Sequence, residues 1–302
     1  MLTTLTIVYR EERAKGALYL VLKLLAALRI MFFPNAIIRF NSMNVAAKLY
    51  NPMRKKHDPL YFLAHTYYIS KYFTLRQRVQ CAINHHEYEL KSFVSEYTRQ
   101  VYHSDGILLW KRSIDDSHFT IILMATNDNM ANGNDRLEGD LSVVLSVNGC
   151  RLCKMSFCYL NANVFLPWSH MTMLISQNQT VVTPSRELYD RCFKKDHPQL
   201  FCLAAICGIA TANEFKIVFG IKHDAQLSYQ EIYKSGFRRS YDAFWEKSDP
   251  IEIDRHVYML NVPLANHKGR ARVHRGYWDE IVRNARSAMV GYRLSEQSIA
   301  MS

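Results

Sequence analysis

Apolar residues recur three and four positions apart through 17–33, 43–50, 60–74 and 76–101, the spacing of one face of an α-helix. Pro34, Pro52 and Pro59 separate these stretches, so residues 1–103 read as an N-terminal helical region. After "VYHSDGILLW" the period shortens. "ILLWKRSI", "HFTIILMA", "DLSVVLSV" and "CRLCKMSFCYL" are short runs rich in β-branched and aromatic residues, the mark of strands. Asn148-Gly149 stands between two of them, and both residues tolerate the positive φ that a tight hairpin turn requires. This pairing puts Leu141, Val143, Leu145 and Val147 on one face, and Arg151, Cys153, Met155, Phe157 and Tyr159 on one face of the partner.

Farther on, "LFCLAAICGIAT" is apolar on every side and predicts a deeply buried helix, with Asp196 or His197 as its cap and Pro198 in its first turn. "FKIVFGI" reads as a core strand, "SYDAFWEKSD" as a short helix, "HVYMLNVPL" as a strand and "YWDEIVRNARSAMVGYR" as a terminal helix. The expected fold is α+β: helices over 1–103, then residues 104–302 as a mixed, mostly antiparallel sheet flanked by helices.

Composition adds partners and compartment. The 302-residue chain carries a formal net charge of +11, with pI about 9.3, which favours an anionic ligand, a membrane surface or RNA. Seven cysteines at irregular spacing read as buried thiols of a reducing compartment, so a cytoplasmic protein is expected. The start "MLTTLTIVYREERAKG" lacks the pattern of a secretory signal. "ALYLVLKLLAALRIMFF" is interrupted by Lys23 and Arg29, which reads as an amphipathic or packed helix able to lie on a membrane surface but not to span it.

Candidate chemistry is sparse. Cys150 and Cys153 sit three apart in a strand, so their sulfurs point to opposite faces and do not make a metal pair. His85 and Glu89 are four apart on a helix and share a face, while the adjacent His85 and His86 diverge by about 100°. No metal is expected there. Lys194 and Lys195 precede the helix that starts near Pro198, a combination that suits a phosphate at a helix N-terminus. Six arginines and Lys268 crowd residues 265–293, a stretch suited to RNA or anionic lipid.

Several segments together resemble the bacterial VirK/YbjX family: "LEGDLSVVLSVNGCRLCKMSFCYL", "HPQLFCLAAICGIATANEFKIVFGIKHD", "SYDAFWEKSD" with "YMLNVPL", the Arg-rich terminal helix, and "RVQCAINHHEYEL" with its His86 and Tyr88. That resemblance implies a cytoplasmic protein of Gram-negative bacteria linked to virulence and to envelope or antimicrobial-peptide resistance. It also marks His86 as a functional candidate, partly buried and facing the α/β domain.

The order of hairpin, buried helix, core strand, "YDAFWEK" helix and strand is also similar to the C-terminal half of GCN5-like acyltransferases. This second likeness implies an acyl-CoA or acyl-carrier donor lying between two splayed strands, 151–160 and 215–221, with its phosphates at Lys194, Lys195 and Pro198. The tyrosine that serves as general acid in that class falls at Trp245 here, and Tyr241 is its nearest substitute. His223, just past the core strand, is the candidate base. Three functions thus fit the sequence: acyl transfer, a regulator that binds RNA or protein through a basic surface, and a peripheral membrane protein.

Overall fold

The computed structural model describes residues 68–126, 138–180, 185–193, 196–264 and 274–294. The expected helices at 17–33 and 43–50, most of 60–74, and the basic stretch 265–273 lie outside them.

The core is one eight-stranded sheet in an α+β fold. In chain order the described elements are α1 (Leu75–Ser92), α2 (Ser95–His103), β1 (Ile107–Ile114), β2 (Ser117–Ala125), β3 (Leu141–Val147), β4 (Cys150–Asn161), β5 (Met171–Thr180), α3 (Ser185–Phe193) and α4 (Pro198–Ala212). They continue with β6 (Ile217–Ile221), α5 (Lys234–Ser240), α6 (Asp242–Glu246), β7 (Ile251–Asp254), β8 (Val257–Asn261) and α7 (His274–Val290). The strand order is β1-β2-β3-β4-β5-β6-β8-β7, and every neighbouring pair is antiparallel except β5 and β6. The β3–β4 turn is the expected hairpin, with Asn148 at φ 49° and Gly149 at φ 78°.

One face of the sheet packs against α2, α3, α4 and α7 around Tyr97, Tyr189, Phe201 and Ile281, and the other packs against α1 around Cys81, Ile83, Cys158 and Phe219. All five buried cysteines lie in these layers, whereas Cys150 is exposed and Cys192 partly so. A thiol reagent applied to the folded protein is therefore expected to modify Cys150 first and Cys192 more slowly. Fast loss of the thiols at 81, 153, 158, 202 or 207 would contradict this burial.

Three expectations about elements need correction. The helix expected over 76–101 is two helices. Phe93 is extended at its junction, and its segment pairs with the chain that leaves α7: Val94 N–H donates to Tyr292 O at 2.9 Å, and Leu294 N–H to Ser92 O at 2.9 Å. A distant partner for the backbone outweighs a helical pattern that continues through the break. Within 60–74, the described part is not helical: Tyr68 and Ser70 form a bridge, and Thr74 caps α1 through a reciprocal pair of bonds with Gln77.

The third correction bears on function. The strand expected beside 215–221 is 151–160, but the sheet places β5 between them. Sequence pattern misses β5 because its second half, Ser176-Gln177-Asn178-Gln179-Thr180, is polar on both faces and shows no alternation.

Candidate functional site at the parallel strand pair

β5 and β6 are aligned through Leu174↔Phe219 and Ile175↔Gly220 only. At that point the β4–β5 register shifts by one residue, so Ser176 is an extra residue that bends β5. Beyond Ile175, β5 continues to Thr180 without a β6 partner. The carboxyl end of a parallel pair whose connection crosses over a sheet face is the usual place for a ligand crevice. The crossover here is α3 and α4.

Tyr241 occupies this opening. Its hydroxyl oxygen accepts the backbone N–H of Asn178 at 3.2 Å, and Asn178 Nδ2 donates to Ser240 O at 3.3 Å. Asp242 follows as the first residue of α6. One of its oxygens accepts the backbone N–H of His223 at 2.9 Å, and the other lies 2.6 Å from His223 Nδ1. Both side chains are largely buried. The carboxylate thus fixes the ring so that Nε2 is the nitrogen left for other chemistry, the arrangement that aligns an acid–base histidine. Trp245 locks α6 to β6 by donating from Nε1 to Ile221 O at 3.1 Å.

A buried polar row approaches the bend in β5 along the sheet. Thr126 Oγ1 meets Ser142 Oγ at 2.7 Å, Ser142 meets Ser156 at 2.9 Å, and Ser156 Oγ donates to Gln177 Oε1 at 2.8 Å. Gln177 Nε2 in turn donates to the Glu138 carboxylate, whose other oxygen accepts Ser228 N–H at 3.2 Å. Ser176 Oγ donates to the Glu138 carbonyl. Polar groups removed from water are costly unless paired. This row is paired link by link, whereas farther along β5 Asn178 Oδ1, Gln179 Oε1 and Thr180 Oγ1 are buried without a hydrogen-bond partner among the described residues.

The structure brings together two of the expected residues, Tyr241 and His223. It adds Asp242, Asn178, Glu138 and Gln177, which sequence reasoning missed. "YD" within "SYDAFWEK" and the acid of "LEGD" were the only local signals for them. Pro198 is the first residue of α4, at the same end of the sheet as the carboxyl ends of β5 and β6. Burial, with the nearby charges of Lys247 and Arg186, outweighs Asp196 and Asp190 and pushes the His197 imidazole below its ordinary pKa. Lys194 and Lys195 lie outside the described residues.

The "HHEYE" segment is a separate place. His85, fully buried, is the residue that faces the sheet: its Nδ1 accepts the backbone N–H of Tyr159 at 3.1 Å. A backbone amide only donates, so a neutral His85 carries its proton on Nε2, which points at Glu89 Oε2, 3.1 Å away. Glu89 also accepts Tyr97 Oη at 2.8 Å and Tyr102 Oη at 2.5 Å. Burial raises its pKa, but His85 and the Tyr102 hydroxyl outweigh this and hold it below the ordinary carboxylate range. His86 is half-buried with its ring 5.0 Å from that of His85, and burial and His85 push its pKa down. His85, His86 and Glu89 converge closely enough to face one ion. The bond from Tyr159 nevertheless makes His85 Nε2 a hydrogen-bond donor to Glu89 and not a lone pair for a metal.

Among the described residues no helix is long and apolar enough to cross a membrane. No curated protein matches the chain. A family model described as "Protein of unknown function (DUF535)" matches residues 22–271. That match covers most of the 302 residues, and the chain belongs to the DUF535 family.

Proposed function

We propose that this chain is a VirK/YbjX-like cytoplasmic protein that transfers an acyl group from a thioester donor, acyl-CoA or an acyl carrier, to an envelope or lipid precursor. The observation that carries the reading is the break in the sheet. An otherwise antiparallel sheet has one parallel pair, that pair parts after Ile175 and Gly220, and a tyrosine hydroxyl covers the strand edge so released. A donor arm with its own amide groups pairs with the free β5 edge once Tyr241 gives up Asn178 N–H. His223, held by Asp242, takes the proton of the attacking hydroxyl or amine. The acceptor atom bonds to the thioester carbonyl carbon, the carbon–sulfur bond breaks, and Tyr241 protonates the departing thiolate. The virulence and antimicrobial-peptide phenotypes suggested by resemblance belong to this proposal, since an acylated envelope lipid alters charge and packing at the cell surface.

Calorimetric titration with acyl-CoAs and an acylated carrier, together with a free-thiol release assay, tests the reading. Donor binding is expected. Tyr241→Phe and His223→Ala are each expected to slow thiol release by about 10²- to 10⁴-fold, the usual range for a lost acid or base. Absence of donor binding, with both variants as functional as the parent chain, overturns it.

A further inference from the structure

The segment between the 3-10 turn at His223–Ala225 and α6 protrudes beside the proposed site, and residues 230–240 are exposed except for Phe237. It is anchored from below. Lys71 Nζ donates to the Tyr229 carbonyl, the Tyr229 ring meets His223 edge-on at 5.4 Å, and Phe237 packs against Tyr229 at 5.5 Å and stacks on Tyr241 at 5.9 Å. The outer side has the opposite character. Ile232 is 77% exposed and Tyr233 56%, and Tyr72, stacked on His256 at 3.7 Å and close to Tyr229, is 51% exposed.

Charge within this segment is one-sided. Three acids of the neighbouring elements are engaged elsewhere, Asp242 by His223, Asp224 by His256 and Glu252 by Lys222, while Glu246 lies near Tyr258 together with Arg238. From Tyr229 to Tyr241 the chain carries Lys234, Arg238 and Arg239 against a single acid, Glu231. That acid is already engaged by Lys234 Nζ at 2.8 Å and by the Tyr229 hydroxyl. Arg238 and Arg239 are exposed with no carboxylate of the segment left to face them. Adjacent bare apolar side chains, tyrosines beside them and arginines around them are the chemistry of a bilayer interface. The apolar groups enter the acyl boundary, tyrosine rings sit at headgroup depth and arginines meet phosphates. A single-stranded nucleic acid would use the tyrosines and arginines but gains nothing from a bare isoleucine. An acidic protein would need a pocket of its own shaped for Ile232 and Tyr233, whereas a bilayer offers apolar depth anywhere on its surface.

We propose that residues 231–239 dock on an anionic lipid surface, with Ile232 and Tyr233 inserted and Arg238 and Arg239 on lipid phosphates. The contacts of Phe237 and Tyr229 then bring Tyr241 and His223 to the level of the headgroups. This docking stands whether or not acyl transfer is the reaction.

The test is sedimentation of the full chain with vesicles of phosphatidylcholine alone or mixed with phosphatidylglycerol, read together with hydrogen exchange. Partition onto anionic vesicles is expected, with slowed exchange at 231–239 that neutral vesicles do not produce. Ile232→Asp with Tyr233→Ser, and separately Arg238→Glu with Arg239→Glu, are each expected to weaken partition by about tenfold or more. Circular dichroism should show both variants folded, since the altered side chains are exposed. Lack of partition, unchanged partition in both variants, or protection confined to other parts of the chain overturns the proposal. So does exchange protection of 231–239 by RNA or by an acidic carrier protein but not by vesicles.

Discussion

Gly208→Ala is expected to lower the stability of this protein by about 2 to 3 kcal/mol, although alanine is the better helix former. Gly208 lies inside α4 where that helix crosses α7. A methyl group there would come within 2.6 Å of Val282 O, 2.7 Å of Ala285 Cβ and 3.1 Å of Arg286 N. Two of these are backbone atoms, so relief requires moving a whole helix and not turning a side chain. Helix propensity alone argues for a gain of about 1 kcal/mol. The clash wins because α4 is buried on all sides and has no direction in which to retreat. Urea unfolding followed by circular dichroism reads the result directly. A midpoint equal to or above that of the parent chain would mean that the two helices do not approach this closely.

Glu89→Ala should cost more, about 3 to 5 kcal/mol, because it removes the acceptor shared by two fully buried donors, His85 and Tyr97, and the partly buried Tyr102. His85 Nε2 and Tyr97 Oη would then face an empty space inside the protein, and Tyr102 Oη would lose its carboxylate at the edge of it. Glu89→Gln keeps one acceptor oxygen, and the tyrosine hydroxyls can rotate to accept from its amide, so its loss should be clearly smaller. The pair also has a pH signature. Glu89 has a depressed pKa in the folded state. Its contribution is therefore complete above the unfolded value, about 4.3, and is lost as pH falls from there through the folded pKa. The stability difference between the parent chain and Glu89→Gln should accordingly shrink on going from neutral pH toward pH 3. A difference that stays constant over that window would remove the ionised carboxylate from the account.

How much of this was legible in the sequence varies with the range of the interaction that decides each feature. The β3–β4 hairpin was legible because Asn148 and Gly149 accept positive φ locally, and the all-apolar α4 because nothing but burial suits it. The α+β class and the mostly antiparallel sheet followed from period in the same way. The opposite faces expected of Cys150 and Cys153 did not: a bulge between Arg151 and Cys153 sets Cys150 across from Val147 and Cys153 across from Leu145, two positions of one face. His223 and Tyr241 were found by likeness to a strand–helix order, and the fold brings both to one end of the sheet. Their partners were not found, because Asp242 lies 19 residues from His223 and Asn178 lies 63 from Tyr241. No periodicity links positions that far apart.

The "HHEYE" segment shows the same division. Helical spacing tied His85 to Glu89, and that pair exists. Which histidine is sealed inside was decided by the sheet. The backbone N–H of Tyr159, on β4, lies beyond the start of β3 at Leu141 and takes its acceptor from His85. His86, singled out by resemblance, ends half-buried beside it. The polar half of β5 is the strongest case. Read along the chain it breaks every strand pattern. In three dimensions Ser176 and Gln177 are satisfied by Glu138 and Ser156, and the backbone N–H and Nδ2 of Asn178 by Tyr241 and Ser240, while Asn178 Oδ1, Gln179 Oε1 and Thr180 Oγ1 are buried without a partner among the described residues. Hydrophobic period and turn chemistry act between near neighbours, so the sequence by itself determined the fold class, the β3–β4 hairpin and the buried helix α4, but not β5 or the break at Phe93. The parting of β5 from β6, the partners of its buried polar groups and the anchoring of His223 depend on hydrogen bonds between distant segments, and only the tertiary structure decided those.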